Sequence, residues 1–245
     1  FEEAYFTHTS TSPNLQIIAS LDLARRQMEL EGYELVIRAT DLALRIRQQV
    51  NSHPLISKYF RVLTPAEMVP AEYRESGMAD YGGPQGVRAQ IVDAWNRDEI
   101  ALDPTRLTLV CGTAGYDGTA FKGLLADRYD IQINKTSRNS ILLQTNINNT
   151  RSDVAHIVKV LSDIARTIDE ELRQGGAAGR AGFAARVKSL MEDVPDLPNF
   201  SRFHETFRGD AGPGTPEGDM RTAFFCAYVE ERREEAAREH ASALR

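Results

Sequence analysis

Apolar residues recur every three or four positions through the first fifty residues, a spacing typical of amphipathic helices. The first series follows Ser12 and Pro13, an N-cap residue and a proline suited to the first helical position. It runs to Gly32 through Leu15, Ile18, Leu21 and Met28. A second series starts at Tyr33, ends at Asn51 and Pro54, and contains Leu35, Ala39, Leu42, Ile46 and Val50. The pattern predicts two consecutive helices separated near Gly32.

The middle of the chain alternates between short apolar runs and helical spacings. The runs predict strands at residues 59–63, 107–111, 130–136 and 140–147. Helices are predicted at 85–95, 119–129 and 152–173, the last with Ser152 as its N-cap, and residues 65–86 are predicted to be a connection. From residue 107 the order is β-α-β-β-α, which indicates a small sheet covered by helices on one side. We therefore expect an α+β fold in which helices are followed by a small sheet layer.

The last third of the chain changes composition. Residues 173–187 are rich in glycine and predict a flexible loop, and residues 219–245 predict a final helix with an apolar start and a charged end. These patterns divide the chain into a helical segment at 1–58, a small α+β domain at 59–173, and a glycine-rich loop with carboxy-terminal helices at 174–245.

Composition and charge narrow the class of protein. The 245 residues are 42% hydrophobic and 26% charged, as in a globular chain, and the net charge of −6 gives no basic excess for nucleic acid. Two cysteines, Cys111 and Cys226, are too few for a disulfide framework. No apolar run reaches the roughly 20 residues of a membrane span. We expect a cytoplasmic protein with neither nucleic-acid nor membrane partners, and no metal site. Because the chain begins at Phe1 without an initiator Met, we also expect a piece of a longer polypeptide.

A run of hydroxyl side chains precedes the first predicted helix. Thr9, Ser10 and Thr11 stand just before Ser12 and Pro13. Unpaired N–H groups and the partial positive charge of a helix N-terminus favour an anion such as phosphate. The alternative is that Ser12 is only an N-cap and the other hydroxyls form turns. The spacing leaves both interpretations open.

Several segments resemble one enzyme family. EAYFTHTSTSP followed by IIASLDLARRQM resembles the segment after the cofactor lysine in bacterial ornithine/lysine/arginine decarboxylases, and the resemblance continues through DPTRLTLVCGTAGYDG and INKTSRNSILLQTNI into the helix at Ser152. It implies the small-domain part of an aminotransferase-like, pyridoxal-phosphate-dependent fold. It also implies that Ser10, with Thr9 and Thr11 as less specific matches, contacts the cofactor phosphate of a neighbouring subunit in a homodimer or larger homo-oligomer.

The resemblance also implies what this chain does not contain. In the family, a lysine after a histidine holds the cofactor as a Schiff base, and none of the five lysines here follows a histidine. We therefore expect no catalytic residue in this chain, an upstream segment that carries the lysine, and little or no activity of the chain alone.

The resemblance places three substrate-contact candidates near residue 136. The family's Val-Glu-Lys-Thr stretch, whose glutamate can bind a basic substrate, reads Ile133-Asn134-Lys135-Thr136 here, so Asn134 and Thr136 are candidates without the family's charge. Arg138 could bind a substrate carboxylate, although surface arginines are far commoner.

Two classes of function stay open at this point. The first is an amino-acid decarboxylase of polyamine metabolism whose substrate is ornithine, lysine or arginine, or a shorter or neutral amino acid. The second is a non-catalytic assembly or regulatory module that keeps the fold. An aminotransferase of the same fold is a further alternative if Arg138 contacts the substrate. The glycines of CGTAGYDG lack the GxGxxG spacing and indicate a tight strand–helix turn rather than a dinucleotide site.

Overall fold

The computed structural model describes residues 14–81 and 87–192, together with Glu3. The predicted final helix and the hydroxyl run at residues 9–12 lie outside the described residues. Helix α1 spans Leu15–Ser52, and its N-cap is Asn14, whose side chain accepts hydrogen bonds from the backbone N–H groups of Gln16 and Ile17. The prediction of Ser12 as the N-cap was wrong, because the helix begins two residues later than the Pro13 signal indicated.

Helix α1 passes through Gly32 without a break, so the prediction of two separate helices was also wrong. A glycine inside a helix costs about 1 kcal/mol relative to alanine, a penalty that its neighbours can offset. Here Met28 folds over the glycine, since a Cβ at Gly32 would lie 2.8 Å from the Met28 Cε atom. The result is a single rod of 38 residues, about 57 Å long at 1.5 Å per residue.

The sheet has four antiparallel strands in the order β1-β2-β4-β3. They are β1 (Arg61–Val62), β2 (Arg106–Val110), β3 (Lys135–Thr136) and β4 (Ser140–Gln144). β1, β3 and β4 fall within the predicted runs and β2 begins one residue before its run, but β1 and β3 have only two residues each. Because Leu109 pairs with both Val62 and Ile141, these three buried side chains form a row on one face of the sheet.

The other α-helices between residues 15 and 192 are α2 (Pro65–Met68), α3 (Val87–Arg97), α4 (Gly118–Tyr129), α5 (Arg151–Gln174) and α6 (Gly176–Met191). Helices α1, α4 and α5 join the sheet in one core whose members include Leu42, Ile46, Phe121, Leu125, Ile157 and Leu161. This arrangement confirms the mixed α+β class with helices on the buried sheet face. A smaller cluster of Leu44, Tyr81 and Ile91 packs on another side of α1.

Two further predictions need correction at the ends of helices. The N-cap of α5 is Thr150 rather than Ser152, because Asp153 in the first turn accepts a 2.7 Å hydrogen bond from the Thr150 backbone N–H. Residues 176–191 form helix α6 rather than a flexible loop. Five alanines between residues 177 and 185 favour the helix, and Phe183 anchors it edge-on to Tyr59 with ring centroids 6.1 Å apart.

Candidate functional site

A cavity of about 500 Å³ opens at one end of the sheet. It lies between the segment that follows α4, the end of β4 and the first turns of α5. Its floor is apolar and includes Ile46, Leu107, Leu143 and Ile157. Its rim is polar and includes Asp130, Gln132, Asn134, Asn146, Asp153 and His156. Among the described residues that line it there is no lysine or arginine, and its acidic side chains are Asp130 and Asp153.

Asp130 reaches the rim because it ends helix α4. Its backbone is left-handed, with φ of 54°, and its N–H bonds back to the carbonyl of Leu125. Asp and Asn adopt this conformation more readily than other residues with side chains. The chain then turns away from the helix and runs through Gln132 and Asn134 along the mouth of the cavity.

Asp153 owes its position to the N-terminus of α5. Its carboxylate accepts hydrogen bonds from the Thr150 backbone N–H, the Thr150 hydroxyl and, at 3.4 Å, the Asn149 amide. The backbone hydrogen bond of Thr150 is the largest cause that lowers the pKa of Asp153 below its ordinary value. The group therefore stays anionic at neutral pH and contributes a fixed negative charge to the rim.

His156 stands one turn further along α5 and also lines the cavity. Its Nε2 atom lies 3.2 Å from the carbonyl oxygen of Tyr129. A hydrogen bond here requires the proton on Nε2, which leaves Nδ1 as an acceptor in the neutral ring. The cavity thus has two carboxylates, several side-chain amides and an imidazole above an apolar floor.

The structure separates the three substrate-contact candidates. Asn134 lines the cavity, Thr136 is an exposed residue of β3 that pairs with Ile141, and Arg138 belongs to the turn between β3 and β4. Asn134, Thr136 and Arg138 alternate along the chain, and alternate residues of an extended chain share a face. The four residues from 134 to 138 nevertheless span about 13 Å, so the first and last candidates lie far apart. The Arg138 Nη2 atom donates a 2.7 Å hydrogen bond to the carbonyl of Ser189 near the end of α6, away from the cavity.

The glycine-rich turn after β2 holds the β3–β4 turn in place. The backbone N–H groups of Cys111 and Gly112 both donate 2.9 Å hydrogen bonds to the carbonyl of Asn139. A Cβ at Gly118 would lie 2.1 Å from the carbonyl oxygen of Ser137, so only glycine allows this approach. Gly118 starts α4, and Asp117 caps it by accepting from the Thr119 and Ala120 N–H groups. The prediction of a tight strand–helix turn is confirmed.

Arg47 of α1 is a buried cation that the sequence patterns did not single out. Arg47 donates hydrogen bonds to the carbonyls of Leu63 and Arg106, at 2.8 and 2.6 Å. Burial lowers the pKa of Arg47, and its Nε atom makes no hydrogen bond. The sequence signal for this burial was the position of Arg47 one turn after Leu44, on a buried side of the helix. From spacing alone, however, an arginine at such a position is predicted to be exposed.

Other kinds of site are not indicated by the part of the chain that the structure describes. Across residues 14–81 and 87–192 no three His, Cys, Asp or Glu side chains group in a way that would hold a metal ion. Nor is any helix in these ranges both long enough and apolar enough to cross a membrane. The five lysines all fall within these ranges and all are exposed, so the described residues do not fit a sheltered covalent anchor for a cofactor.

The fold and cavity define a mixed helical and antiparallel-sheet domain with an acidic, apolar-floored cavity at one end. A family model described as Orn/Lys/Arg decarboxylase, major domain, matches residues 1–153, which are more than half of the chain. The chain therefore belongs to the ornithine/lysine/arginine decarboxylase family, as its sequence resemblance predicted.

The individual relatives that match this chain are named lysine or arginine decarboxylases. The chain is 25% identical over 221 residues to the lysine decarboxylase of Hafnia alvei, covering 85% of this chain and 28% of that protein. It is 23% identical over 190 residues to the arginine decarboxylase of Bacillus cereus, covering 78% and 32%. The solved structure of the constitutive lysine decarboxylase of Escherichia coli aligns at 23% identity with a TM-score of 0.48, covering 71% of this chain and 25% of that one. This chain spans between a quarter and a third of the length of the curated relatives it matches.

Proposed function

We propose that this chain is part of a pyridoxal-phosphate-dependent decarboxylase that acts on a basic amino acid, namely ornithine, lysine or arginine. Family membership supports the reaction class, and relatives named lysine and arginine decarboxylases support a basic substrate. When bound, the cofactor ring takes up the electron pair left by the departing carbon dioxide. The described part of this chain contributes residues that bind the substrate rather than the group that anchors the cofactor.

The observation that carries the proposed substrate class is the charge of the cavity. Asn134 replaces the glutamate of the family stretch, which removes a negative charge at that position. Asp130 and Asp153 line the same cavity as Asn134 and supply two carboxylates. An ammonium or guanidinium group would find charge-assisted acceptors there, and its alkyl chain could lie on Leu143 and Ile157. Thr136 and Arg138 stay predictions, and Arg138 would first have to leave the Ser189 carbonyl.

The cofactor contact belongs to the same proposal. Ser10, with Thr9 and Thr11, would donate hydrogen bonds from one subunit to the phosphate group bound by another, which requires a homo-oligomer with shared sites. These three residues lie outside the described part of the chain, so the family resemblance alone supports their role. A cytoplasmic location stays a prediction.

Titration of 1,5-diaminopentane into this chain tests the acidic cavity directly. We expect saturable binding that Asp130→Asn weakens about tenfold, because a charge-assisted hydrogen bond contributes about 1.5–3 kcal/mol. Asn134→Glu should tighten binding by restoring the missing charge. Asp127→Asn removes an exposed carboxylate of α4 that does not line the cavity, and it should leave binding unchanged. Equal effects of the two aspartate substitutions would contradict the site.

The reaction requires assays of the complete natural polypeptide. Release of carbon dioxide from ornithine, lysine or arginine in the presence of pyridoxal phosphate would support the proposal. Ser10→Ala should weaken cofactor binding there more than Ser20→Ala, which alters an exposed hydroxyl of α1. If the complete polypeptide binds the diamine but releases no carbon dioxide from any of these amino acids, the alternative of a non-catalytic module with the same fold is favoured instead. The aminotransferase alternative needs a free Arg138, and the Ser189 contact gives it no support.

A further inference from the structure

A second cavity lies near the carboxy-terminal end of α5, whereas the acidic cavity lies at the amino-terminal end of that helix. Its volume is about 350 Å³, within the roughly 300–1,000 Å³ typical of small-molecule pockets. The turn after β2, the last turns of α5 and the middle of α6 enclose it. None of the described residues that line it also lines the acidic cavity. The two cavities are therefore separate places for a ligand.

The walls of the second cavity are mostly apolar. Helix α5 contributes Leu172, helix α6 contributes Phe183, and the turn after β2 contributes Tyr116. Both aromatic rings pack against further rings behind them. Phe183 lies edge-on to Tyr59 with centroids 6.1 Å apart, and the centroid of Tyr116 lies 5.5 Å from that of Phe121. These contacts fix the walls in place, so an apolar group of a ligand would meet a preformed surface.

Two glycines keep the second cavity open. Gly115 has a φ of 77°, and a Cβ there would lie 3.0 Å from the Arg186 Nε atom and 3.2 Å from the Phe183 ring. Gly179 of α6 also lines the cavity, and no atom lies within 4 Å of the place where its Cβ would be. A longer side chain at residue 179 therefore has room to extend over the cavity.

Two opposite charges line the second cavity without pairing. Within the part of the chain that the structure describes, the side chains of Glu171 and Arg186 form no ion pair and no hydrogen bond. The guanidinium carbon of Arg186 lies 5.7 Å from the centre of the Phe183 ring. Burial raises the pKa of Tyr116, Glu171 raises it further and Arg186 opposes both. The Tyr116 hydroxyl thus stays a neutral donor between an anion and a cation.

We propose that the second cavity binds an α-amino acid with an apolar side chain. Arg186 donates charge-assisted hydrogen bonds to the ligand carboxylate, and Glu171 accepts from the ligand ammonium group. The ligand side chain lies against Phe183 and Leu172. A zwitterion suits this pair of residues, because Glu171 repels a simple anion and Arg186 repels a simple amine. The site requires neither pyridoxal phosphate nor decarboxylation, so it does not depend on the function proposed above.

Calorimetric titration of this chain with L-phenylalanine tests the class of ligand. We expect saturable binding of one molecule per chain. Phenethylamine lacks the carboxylate and 3-phenylpropanoate lacks the ammonium group, so each should bind at least about tenfold more weakly. An excess of 1,5-diaminopentane should not displace L-phenylalanine, because it has no carboxylate for Arg186. Equal affinities for the three phenyl compounds would overturn the proposal, as would the absence of binding by both L-phenylalanine and L-leucine.

Substitutions of the two charged residues test their roles, and each has a matched control on the same helix. Arg186→Gln and Glu171→Gln should each weaken L-phenylalanine binding at least about tenfold. Arg180→Gln in α6 and Glu170→Gln in α5 alter exposed residues that do not line the cavity, and they should leave binding unchanged. Equal effects of the paired substitutions would place the ligand elsewhere and contradict the site.

Filling the second cavity tests its location without removing a charge. Gly179→Leu should abolish L-phenylalanine binding, whereas Gly182→Leu should not, because Gly182 has open space in α6 but does not line the cavity. Circular dichroism should show that both variants keep their helices. The binding that Gly179→Leu abolishes should persist in the complete natural polypeptide. Its loss there would show that another part of the polypeptide fills the cavity, and would overturn the proposal.

Discussion

The guanidinium carbon of Arg47 lies 4.7 Å from the centre of the Tyr81 ring, and this contact joins α1 to the segment that precedes α3. Tyr81 is held in turn by its hydroxyl, which donates a 3.0 Å hydrogen bond to the carbonyl of Leu102. Arg47 also bonds to carbonyls next to β1 and at the start of β2. One buried side chain thus connects the long helix with three parts of the chain that are distant in sequence.

We expect Arg47→Met to lower the free energy of unfolding by about 2–3 kcal/mol, because two buried carbonyl groups lose their donors and the aromatic ring loses its cation. Arg45→Met is the matched control, since Arg45 is exposed on the same helix. Surface substitutions of this kind change stability by about 0.5 kcal/mol or less. Urea unfolding measures both. Similar losses in the two variants would show that the buried contacts contribute little.

Gly118→Ala and Gly123→Ala should have opposite effects on stability, although both glycines belong to α4. A Cβ at Gly118 meets the carbonyl oxygens of Ser137 and Ser140 at 2.1 and 2.6 Å, so the β3–β4 turn must move. At Gly123 no atom lies within 4 Å, and alanine should stabilise the helix by about 0.5–1 kcal/mol. Thermal unfolding distinguishes the two. A tolerated Gly118→Ala would mean that the turn is not held tightly against α4.

Helix α6 can be tested in the same way. Gly179 and Gly182 lie inside the helix with open space where a Cβ would be, so Gly179→Ala and Gly182→Ala should each raise stability by about 0.5–1 kcal/mol. Gly176→Ala is the contrasting variant, because Gly176 has a φ of 58°, which alanine adopts only with strain. Thermal unfolding measures all three variants, and a loss of stability in Gly179→Ala and Gly182→Ala would contradict the helix.

The contact between Tyr59 and Asp169 predicts how the free energy of unfolding depends on pH. The Tyr59 hydroxyl donates a hydrogen bond to the Asp169 carboxylate, and Lys58 lies 3.1 Å from the other carboxylate oxygen. These two contacts, with Tyr59 first, lower the pKa of Asp169. Burial, with a contribution from Asp169, raises the pKa of Tyr59 to about 12. Burial likewise raises the pKa of Tyr81 to about 12.

The lowered pKa of Asp169 and the raised pKa of Tyr59 predict an acid limb and an alkaline limb in the profile of unfolding free energy against pH. Asp169 stabilises the fold above its unfolded pKa near 4, and this contribution is lost as the pH falls through its lower folded value. Tyr59 stabilises the fold below its unfolded pKa near 10, and this contribution is lost as the pH rises from about 10 to 12. Tyr59→Phe should flatten both limbs, although Tyr81 keeps part of the alkaline one. Tyr33→Phe, at an exposed position, should leave the profile of unfolding free energy unchanged.

Periodicity predicted the helix-rich α+β class because the buried faces of α1, α4 and α5 carry apolar residues at regular spacing. It failed where local signals conflicted with packing. Gly32 and the glycines after residue 175 predict breaks, but Met28 covers the first and alanines with Phe183 support the others. The bounds of a two-residue strand such as β3 are determined by its pairing with β4. The pattern within one short segment of sequence carries no information about that pairing.

The candidate site was only partly visible in the sequence. Asn134 was singled out through the family resemblance, and it does line the acidic cavity. Asp130 and Asp153 are 23 residues apart in sequence and line the same cavity because α4 ends near the first turns of α5. Thr150 and Asp153 have the T-x-x-D spacing of a capping box. This was the one local signal in the sequence that could have placed the Asp153 carboxylate at the start of a helix. The contact between Arg138 and Ser189 depends on α6, which was predicted to be a loop.

The uninterrupted length of α1 links two places that would otherwise be independent. Ile46 forms part of the cavity floor, and Leu23 lies more than thirty ångströms along the same rod, at about 1.5 Å per residue. Helix α1 contains no proline, one of the usual causes of a sharp kink, and it is continuous between these two residues. The exposed amino-terminal half of α1 and the floor of the acidic cavity therefore belong to one continuous helix, so a displacement of one end would be passed along the helix to the other.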